Sequence, residues 1–275
     1  MKTLFIGLIS TLLVLGTVGF VLAQPPDRVP ATNDKPNIGV TVTIPANAVE
    51  VADGVFSLGT GTDVDGRVVQ GFMFVDKHAK PPGAGGGNGG GSAKCYAFLA
   101  NGAKWKIIES WIVNTANTEG LNDSFVFSNL GTDIQKWEDA STVNILGGGS
   151  TTNAALVADT ASPDGQNEVY FGDVGSPGAI AVTIVWGIFY GPQFQRELVE
   201  WDQVYDQVDF DWSSTGEAGK MDFGNIATHE IGHSDGMGHP DDSCTEETMY
   251  RFAAAGETKK RDLNAGDIAG IQALY

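Results

Sequence analysis

Three histidines between positions 229 and 239 constrain this chain more than any other feature. The stretch reads His229-Glu230-Ile231-Gly232-His233-Ser234-Asp235-Gly236-Met237-Gly238-His239 and holds three of the chain's four histidines. His229 and His233 are four residues apart, so a helix brings both imidazoles to one face, one turn from each other, where both can reach one metal ion. Glu230 projects from the same turn toward the place of a metal-bound water. His239 cannot lie on the same straight helix and still reach that metal, so the helix must end and the chain turn back. Gly236 follows His233 by three residues, where a helix-ending residue with positive φ is wanted, and glycine accepts it without a Cβ penalty. Three protein ligands leave a fourth position open, which distinguishes a catalytic zinc site from a closed structural one.

Hydrolysis of peptide bonds is the chemistry this pattern suits. Zinc lowers the pKa of water from about 15.7 to about 7 and polarises a carbonyl. Glu230 is the candidate catalytic residue, placed to take the water's proton and deliver it to the leaving amine. The expectation is a zinc-dependent endopeptidase. The alternative is a non-catalytic, zinc-stabilised surface or binding protein on the same scaffold, and the presence of Glu230 argues against it.

The run from His229 to His239 resembles the signature of the metzincin clan of zinc endopeptidases. Thr248-Met249-Tyr250 fits the methionine turn that lies beneath the zinc in that clan. The tail from Asp262 to Tyr275 looks like the last helix of the matrixins, and the chain is similar to the secreted matrixin-like proteases of prokaryotes. The specific likeness covers about residues 220–275, and a looser one reaches back to about residue 95. The resemblance implies an α+β metzincin domain: a mixed twisted sheet, a backing helix, an active-site helix and a C-terminal helix. It implies His229, His233 and His239 as zinc ligands and Met249 as the structural floor of the site. It also brings in structural calcium, for which acidic loops such as 206–211 offer oxygen ligands. Asp235, Pro240 and Arg251 depart from the family pattern, so pocket specificity does not carry over.

The region before the catalytic domain reads as separate parts. Residues 1–23 form an export signal, with Lys2, an apolar run from Leu4 to Leu22, and Val21-Leu22-Ala23 as a cleavage site. Its length also suits an uncleaved anchor, the one way this chain would meet a membrane. Residues 24–80 form a small β-rich N-terminal segment, with strands at 40–44 and 68–75 and a hairpin turn at 63–67. That segment is a pro-region, a docking module or an extra sheet. Residues 81–94 are a Gly-rich linker, and 95–275 the zinc peptidase domain. Within that domain 105–113, 143–146, 168–171 and 179–190 read as strands, and 198–205 as the substrate-binding edge strand. Asn122 caps a helix with Phe127, Leu130, Ile134 and Trp137 on its apolar face. Ile268, Ile271 and Leu274 form the buried stripe of the last helix.

Acidic residues outnumber basic ones 34 to 16, and a net charge of −18 excludes nucleic acid as a partner. Protein or peptide substrates met outside the cell by a monomer are the expectation. Cys95 and Cys244 are the only cysteines, and an even pair in an exported protein suggests a disulfide. The resemblance offers a second role, a cysteine switch with Cys95 on the zinc, although Lys94-Cys95-Tyr96 lacks the context matrixin pro-segments use.

Overall fold

Runs of apolar and β-branched residues separated by glycine turns produce a strand-rich fold with, among the described residues, three α-helices. The computed structural model describes residues 40–78 and 94–275, which lie in one compact unit. The expected export signal and nearly all of the expected linker fall outside the described residues. In chain order the elements are β1 (Thr41–Val42), β2 (Val49–Ala52), β3 (Val55–Thr62), β4 (Val68–His78), β5 (Ala97–Phe98), β6 (Trp111–Asn114), α1 (Asp123–Ser141), β7 (Gly149–Thr151), β8 (Asn167–Val174), β9 (Ala179–Ile188), β10 (Glu197–Asp206), β11 (Trp212–Ser213), β12 (Met221–Asp222), α2 (Phe223–Ser234), β13 (Met237–Gly238), β14 (Phe252–Ala253) and α3 (Ala265–Leu274).

The main sheet runs β2-β3-β4-β9-β10-β8-β6-β7. Strands β10, β8, β6 and β7 are mutually parallel, whereas β9 is antiparallel to β10 and β4 is antiparallel to β9. This is the mixed sheet expected. Leu198–Tyr205 is not its edge: β10 sits between β9 and β8. Nearly every residue of β10 is buried, and burial of both faces erases the alternation that an edge strand would show.

Strands β3 and β4 form the expected hairpin, with Gly66 N–H donating to the Asp63 carbonyl at 2.9 Å. The hairpin joins the main sheet directly through β4 and β9. Val69, Met73, Phe74 and Val75 of β4 are each at most 3% exposed. At ~1.5–3 kcal/mol per buried side chain, these four contribute roughly 6–12 kcal/mol before ordering costs. Segment 40–78 is thus held by core packing.

Helix α1 backs the sheet and packs on α2 and α3. Asn122 Oδ1 caps it by accepting from Ser124 N–H at 3.0 Å and Phe125 N–H at 3.3 Å. Its buried face is Val126, Leu130, Asp133, Ile134 and Trp137; Phe127 lies beside that face, its ring 5.5 Å from that of Trp111.

Three other expectations change. Residues 105–110 are not strand: Trp105 is held by its own N–H on Tyr275 Oη and its indole N–H on the Ser234 carbonyl. Residues 143–146 are a loop whose Ile145 and Leu146 N–H groups donate to Glu138 Oε1. Ile268 is 36% exposed, because α3 packs through Gly266, Gly270, Ile271 and Leu274 instead. A Cβ at Gly270 would stand 2.4 Å from Met237 Cε, so close approach requires glycine there. Among the described residues no helix is long and apolar enough to cross a membrane.

Cys95 and Cys244 form a disulfide, with Cα atoms 5.5 Å apart, across a sequence separation of 149. That bond excludes a Cys95 thiolate on the metal and leaves the disulfide as the outcome of the two roles weighed.

Candidate active site

Helix α2 begins at Asp222, whose carboxylate accepts Asn225 N–H at 2.9 Å, and ends at Asp235. Gly236 then takes φ +96°, and the chain reverses into β13 and reaches His239. The helix and the turn after it bring the three sequence-predicted histidines together.

Their orientation is set from behind. His229 Nδ1 lies 2.6 Å from the Thr248 carbonyl and His233 Nδ1 lies 3.0 Å from the Met237 carbonyl. A carbonyl only accepts, so both Nδ1 atoms carry protons and each neutral ring turns its Nε2 lone pair inward. Burial, with the Lys260 charge adding to it, pushes His229 down to about 3, and burial also lowers His239. The Nε2 atoms of His239 and His233 are 3.1 Å apart, and those of His239 and His229 are 3.3 Å apart. Zinc–nitrogen bonds of about 2.0–2.1 Å in a tetrahedron set ligand atoms about 3.3–3.4 Å from one another. Lone pairs converging at that spacing repel unless a cation lies between them. The donor set fits zinc.

A fourth group completes the cluster, and the sequence reading did not contain it. Asp76, from β4, places Oδ1 at 2.9 Å from His239 Nε2 and 3.1 Å from His229 Nε2, with Oδ2 3.5 Å from His233 Nε2. Asp76, His229, His233 and His239 can hold one metal ion. The alternation of Val68–Val75 marks a strand, yet nothing local in it signals that the next residue meets the metal ligands.

Glu230 is fully buried. Its Oε2 accepts the Thr183 hydroxyl at 2.5 Å, while Oε1 has no hydrogen-bond partner. Burial, with the Asp76 charge adding to it, raises its pKa well above the usual carboxylate value.

Met249 lies fully buried under α2. A Cβ at Gly232 would stand 2.3 Å from Met249 Sδ and 2.7 Å from Trp137 Cζ2, so the glycine between the two histidines lets the methionine turn sit against the helix. Asp267 of α3 holds that turn: its carboxylate accepts Thr248 N–H at 2.7 Å and Met249 N–H at 3.1 Å. Asp267 also caps its own helix, accepting Asn264 N–H at 2.9 Å. The last helix therefore braces the carbonyl that orients His229.

Residues 178–275 match the matrixin family. The likeness to a matrixin peptidase lies in that C-terminal part of the chain. Over 74 residues it is 38% identical to matrilysin of Rattus norvegicus, a span of 27% of this chain and 26% of that protein. Over 68 residues it is 40% identical to metalloendoproteinases 4-MMP and 1-MMP of Arabidopsis thaliana, 25% of this chain and 18% of each of theirs. The chain spans about a quarter or less of the length of these relatives. The matrixin match begins just before β9, so β4 and Asp76 precede it.

Among the departures from the matrixin pattern, Arg251 has visible partners and Asp235 does not. Arg251 pairs with Asp53 and Asp242, each at 2.5 Å, joining the N-terminal hairpin to the loop after His239. Asp235 is buried with both carboxylate oxygens unpartnered, and burial, with Glu138 adding to it, raises its pKa well above the usual value. Beside the metal cluster lies a cavity of about 340 Å³, lined by Phe72, Phe74, Phe98, Leu99, His239 and Arg251 among others. The 206–211 loop offers little to calcium, because Asp206 spends its oxygens on the N–H groups of Val174, Val208 and Asp209.

Proposed function

We propose that the chain is a zinc-dependent endopeptidase that hydrolyses peptide bonds in proteins, with His229, His233 and His239 as the zinc ligands. The observation that carries this reading is the convergence of Nε2 lone pairs at tetrahedral spacing, each ring set by a backbone carbonyl or the chain reversal at Gly236. Zinc bound there would supply a Lewis acid and an acidified water. Glu230 Oε1 is the free oxygen that takes the water's proton and passes it to the leaving nitrogen, while Thr183 fixes the other oxygen. Met249 serves as the floor of the site.

Export supports protein or peptide substrates met outside the cell. The apolar N-terminal run and a disulfide, which persists in oxidising compartments, both favour it. Retention of that run as an anchor is the alternative, and the catalytic unit acts as a monomer.

We also infer structural calcium at Asp159, Asp164 and Glu200, whose carboxylate oxygens lie within 4.8 Å of one another. Glu200 is 1% exposed, and its Oε1 has no partner. Burial pushes Glu200 up to about 9 and Glu168 up to about 7, and the charges that add to it, from Asp159 and Asp164, are acidic. A hard cation with oxygen ligands answers that repulsion.

A non-catalytic, zinc-stabilised protein is the second reading, favoured by one fact: four protein groups surround the metal position, as in a closed structural site. Cleavage of a peptide library by the zinc-loaded chain, before and after limited proteolysis, separates the two. Chelator-sensitive cleavage supports the peptidase, and zinc binding without cleavage in either state supports the second.

A further inference from the structure

We propose that Lys260 is a positioning residue for the reaction that acts through its charge: a buried ammonium beside the methionine turn that opposes metal binding and favours negative charge at the reacting carbonyl. The inference rests on the zinc-peptidase reading and adds a group to that same site.

Three consecutive cations, Lys259, Lys260 and Arg261, form a single tight turn that packs on α2. The outer two are paired with carboxylates. Arg261 meets Asp222, the N-cap of α2, at 2.5 Å, and Lys259 lies 3.6 Å from Glu246. Lys260 differs from both. It is 1% exposed, and its ammonium donates to the Tyr250 carbonyl, with the Tyr250 ring centroid at 5.8 Å. Among the described residues, the carboxylates that face it are Asp76, Glu257 and Glu230, and none of them is in ion-pair contact with it. Burial pushes its pKa down to about 8, so the group still carries its proton at neutral pH.

The lysine is fixed between the two elements that place His229. Its backbone N–H donates to Asn225 Oδ1 at 2.8 Å, on the first turn of α2, and its ammonium meets the residue after Met249. On the other side of that methionine, the Thr248 carbonyl holds His229 Nδ1. The charge of Lys260 disfavours a proton on His229 and on His239 and favours ionised Glu230.

Burying a charge without a partner costs stability, and an apolar side chain of similar volume would fill the space without that cost. The site gives the charge a use. Two buried carboxylates, Asp76 and Glu230, stand at the metal cluster. A divalent ion and those two carboxylates would balance; the ammonium leaves one positive charge in excess. That excess repels a divalent cation and lowers metal affinity. It also stabilises the negative charge that develops on the substrate carbonyl oxygen during hydrolysis.

Zinc affinity tests this directly, because charge and scaffold predict opposite signs. Loss of a residue that only supported His229 would weaken zinc binding; loss of a repelling charge strengthens it. Lys260→Gln keeps a donor for the Tyr250 carbonyl and removes the charge. Lys259→Gln changes the net charge of the chain equally and is the control. The full chains, checked for folding by circular dichroism, are titrated with zinc against a chromophoric chelator at a pH below about 8, where Lys260 is charged. Lys260→Gln should bind zinc about tenfold more tightly than wild type, and Lys259→Gln within about twofold of it. Lys260→Met, the apolar replacement of similar length, should also bind more tightly and gives the same readout if glutamine is not tolerated. Where the zinc-saturated wild type cleaves a quenched peptide, kcat should fall by about tenfold in Lys260→Gln with KM little changed. Zinc binding by the Lys260 variants no tighter than wild type would overturn the proposal, as would an equal gain in Lys259→Gln or a kcat no lower than that of a cleaving wild type. The affinity readout does not depend on catalysis. A gain in affinity with no cleavage by any form, wild type included, would count against the peptidase reading and leave the charge effect standing.

Discussion

Replacing Gly232 by alanine sets two effects of known size against each other. In a helix interior the change itself favours folding by about 1 kcal/mol, since glycine is the poorer helix former. The new Cβ, however, would stand 2.3 Å from Met249 Sδ and 2.7 Å from Trp137 Cζ2. Carbon atoms in contact prefer about 3.5–4.0 Å, so both neighbours must retreat by roughly 1 Å. Trp137 has no room to do so: it is fully buried, and its indole N–H donates to the Thr228 carbonyl at 2.9 Å. Met249 must therefore move, at an overpacking cost of ~1–3 kcal/mol, and the net effect is a loss of up to about 2 kcal/mol. The shift reaches the metal because Thr248, the neighbour of Met249, holds His229 Nδ1 through its carbonyl. Disturbing such a supporting contact costs about tenfold or more in metal affinity. Urea unfolding of the metal-free protein and competition with a chromophoric chelator measure the two quantities. A Gly232→Ala protein more stable than wild type, with unchanged zinc affinity, would refute the packing argument. In a double-mutant cycle Met249→Ala should relieve part of the penalty, since it removes the atom struck first.

Asp267→Ala should cost ~3 kcal/mol or more in urea unfolding, because it strands the N–H groups of Thr248, Met249 and Asn264 together. Replacing both Cys95 and Cys244 by serine opens a loop of sequence separation 149 and should lower stability by up to about 5 kcal/mol, with a fall below about 1 kcal/mol contradicting the role given to the bond. The acid cluster has a definite pH signature: Glu168 and Glu200 are raised in the fold, so their contribution is present near pH 4 and is lost as pH rises through about 7 and about 9. Calcium should therefore raise the melting temperature more at pH 9 than at pH 5, and Glu200→Gln should abolish that difference; an equal shift at both pH values would remove the site.

The metal ligands were legible because they are local: one helical turn and one glycine reversal fix three histidines within eleven residues, whatever lies around them. Asp76 was not, because its place comes from pairing of β4 with β9, a contact between residues about a hundred positions apart that no periodicity records. Asp267 was half legible. Its position three residues after Asn264 announces a cap, but the same carboxylate also holds the methionine turn, which only the packing of α3 reveals. The misplaced edge strand has the same origin. A strand buried on both faces and a weakly alternating edge look alike in one dimension, and only the sheet order distinguishes β10 from β9.

The most direct test of the central claim is Glu230→Gln in the zinc-loaded full chain, with zinc content and peptide cleavage measured on the same sample as for the wild type. Because Glu230 touches none of the carbonyls that set the histidines, the variant should keep one zinc per chain, and its cleavage rate should fall by about 10³-fold. Cleavage at the wild-type rate with zinc retained would contradict the account.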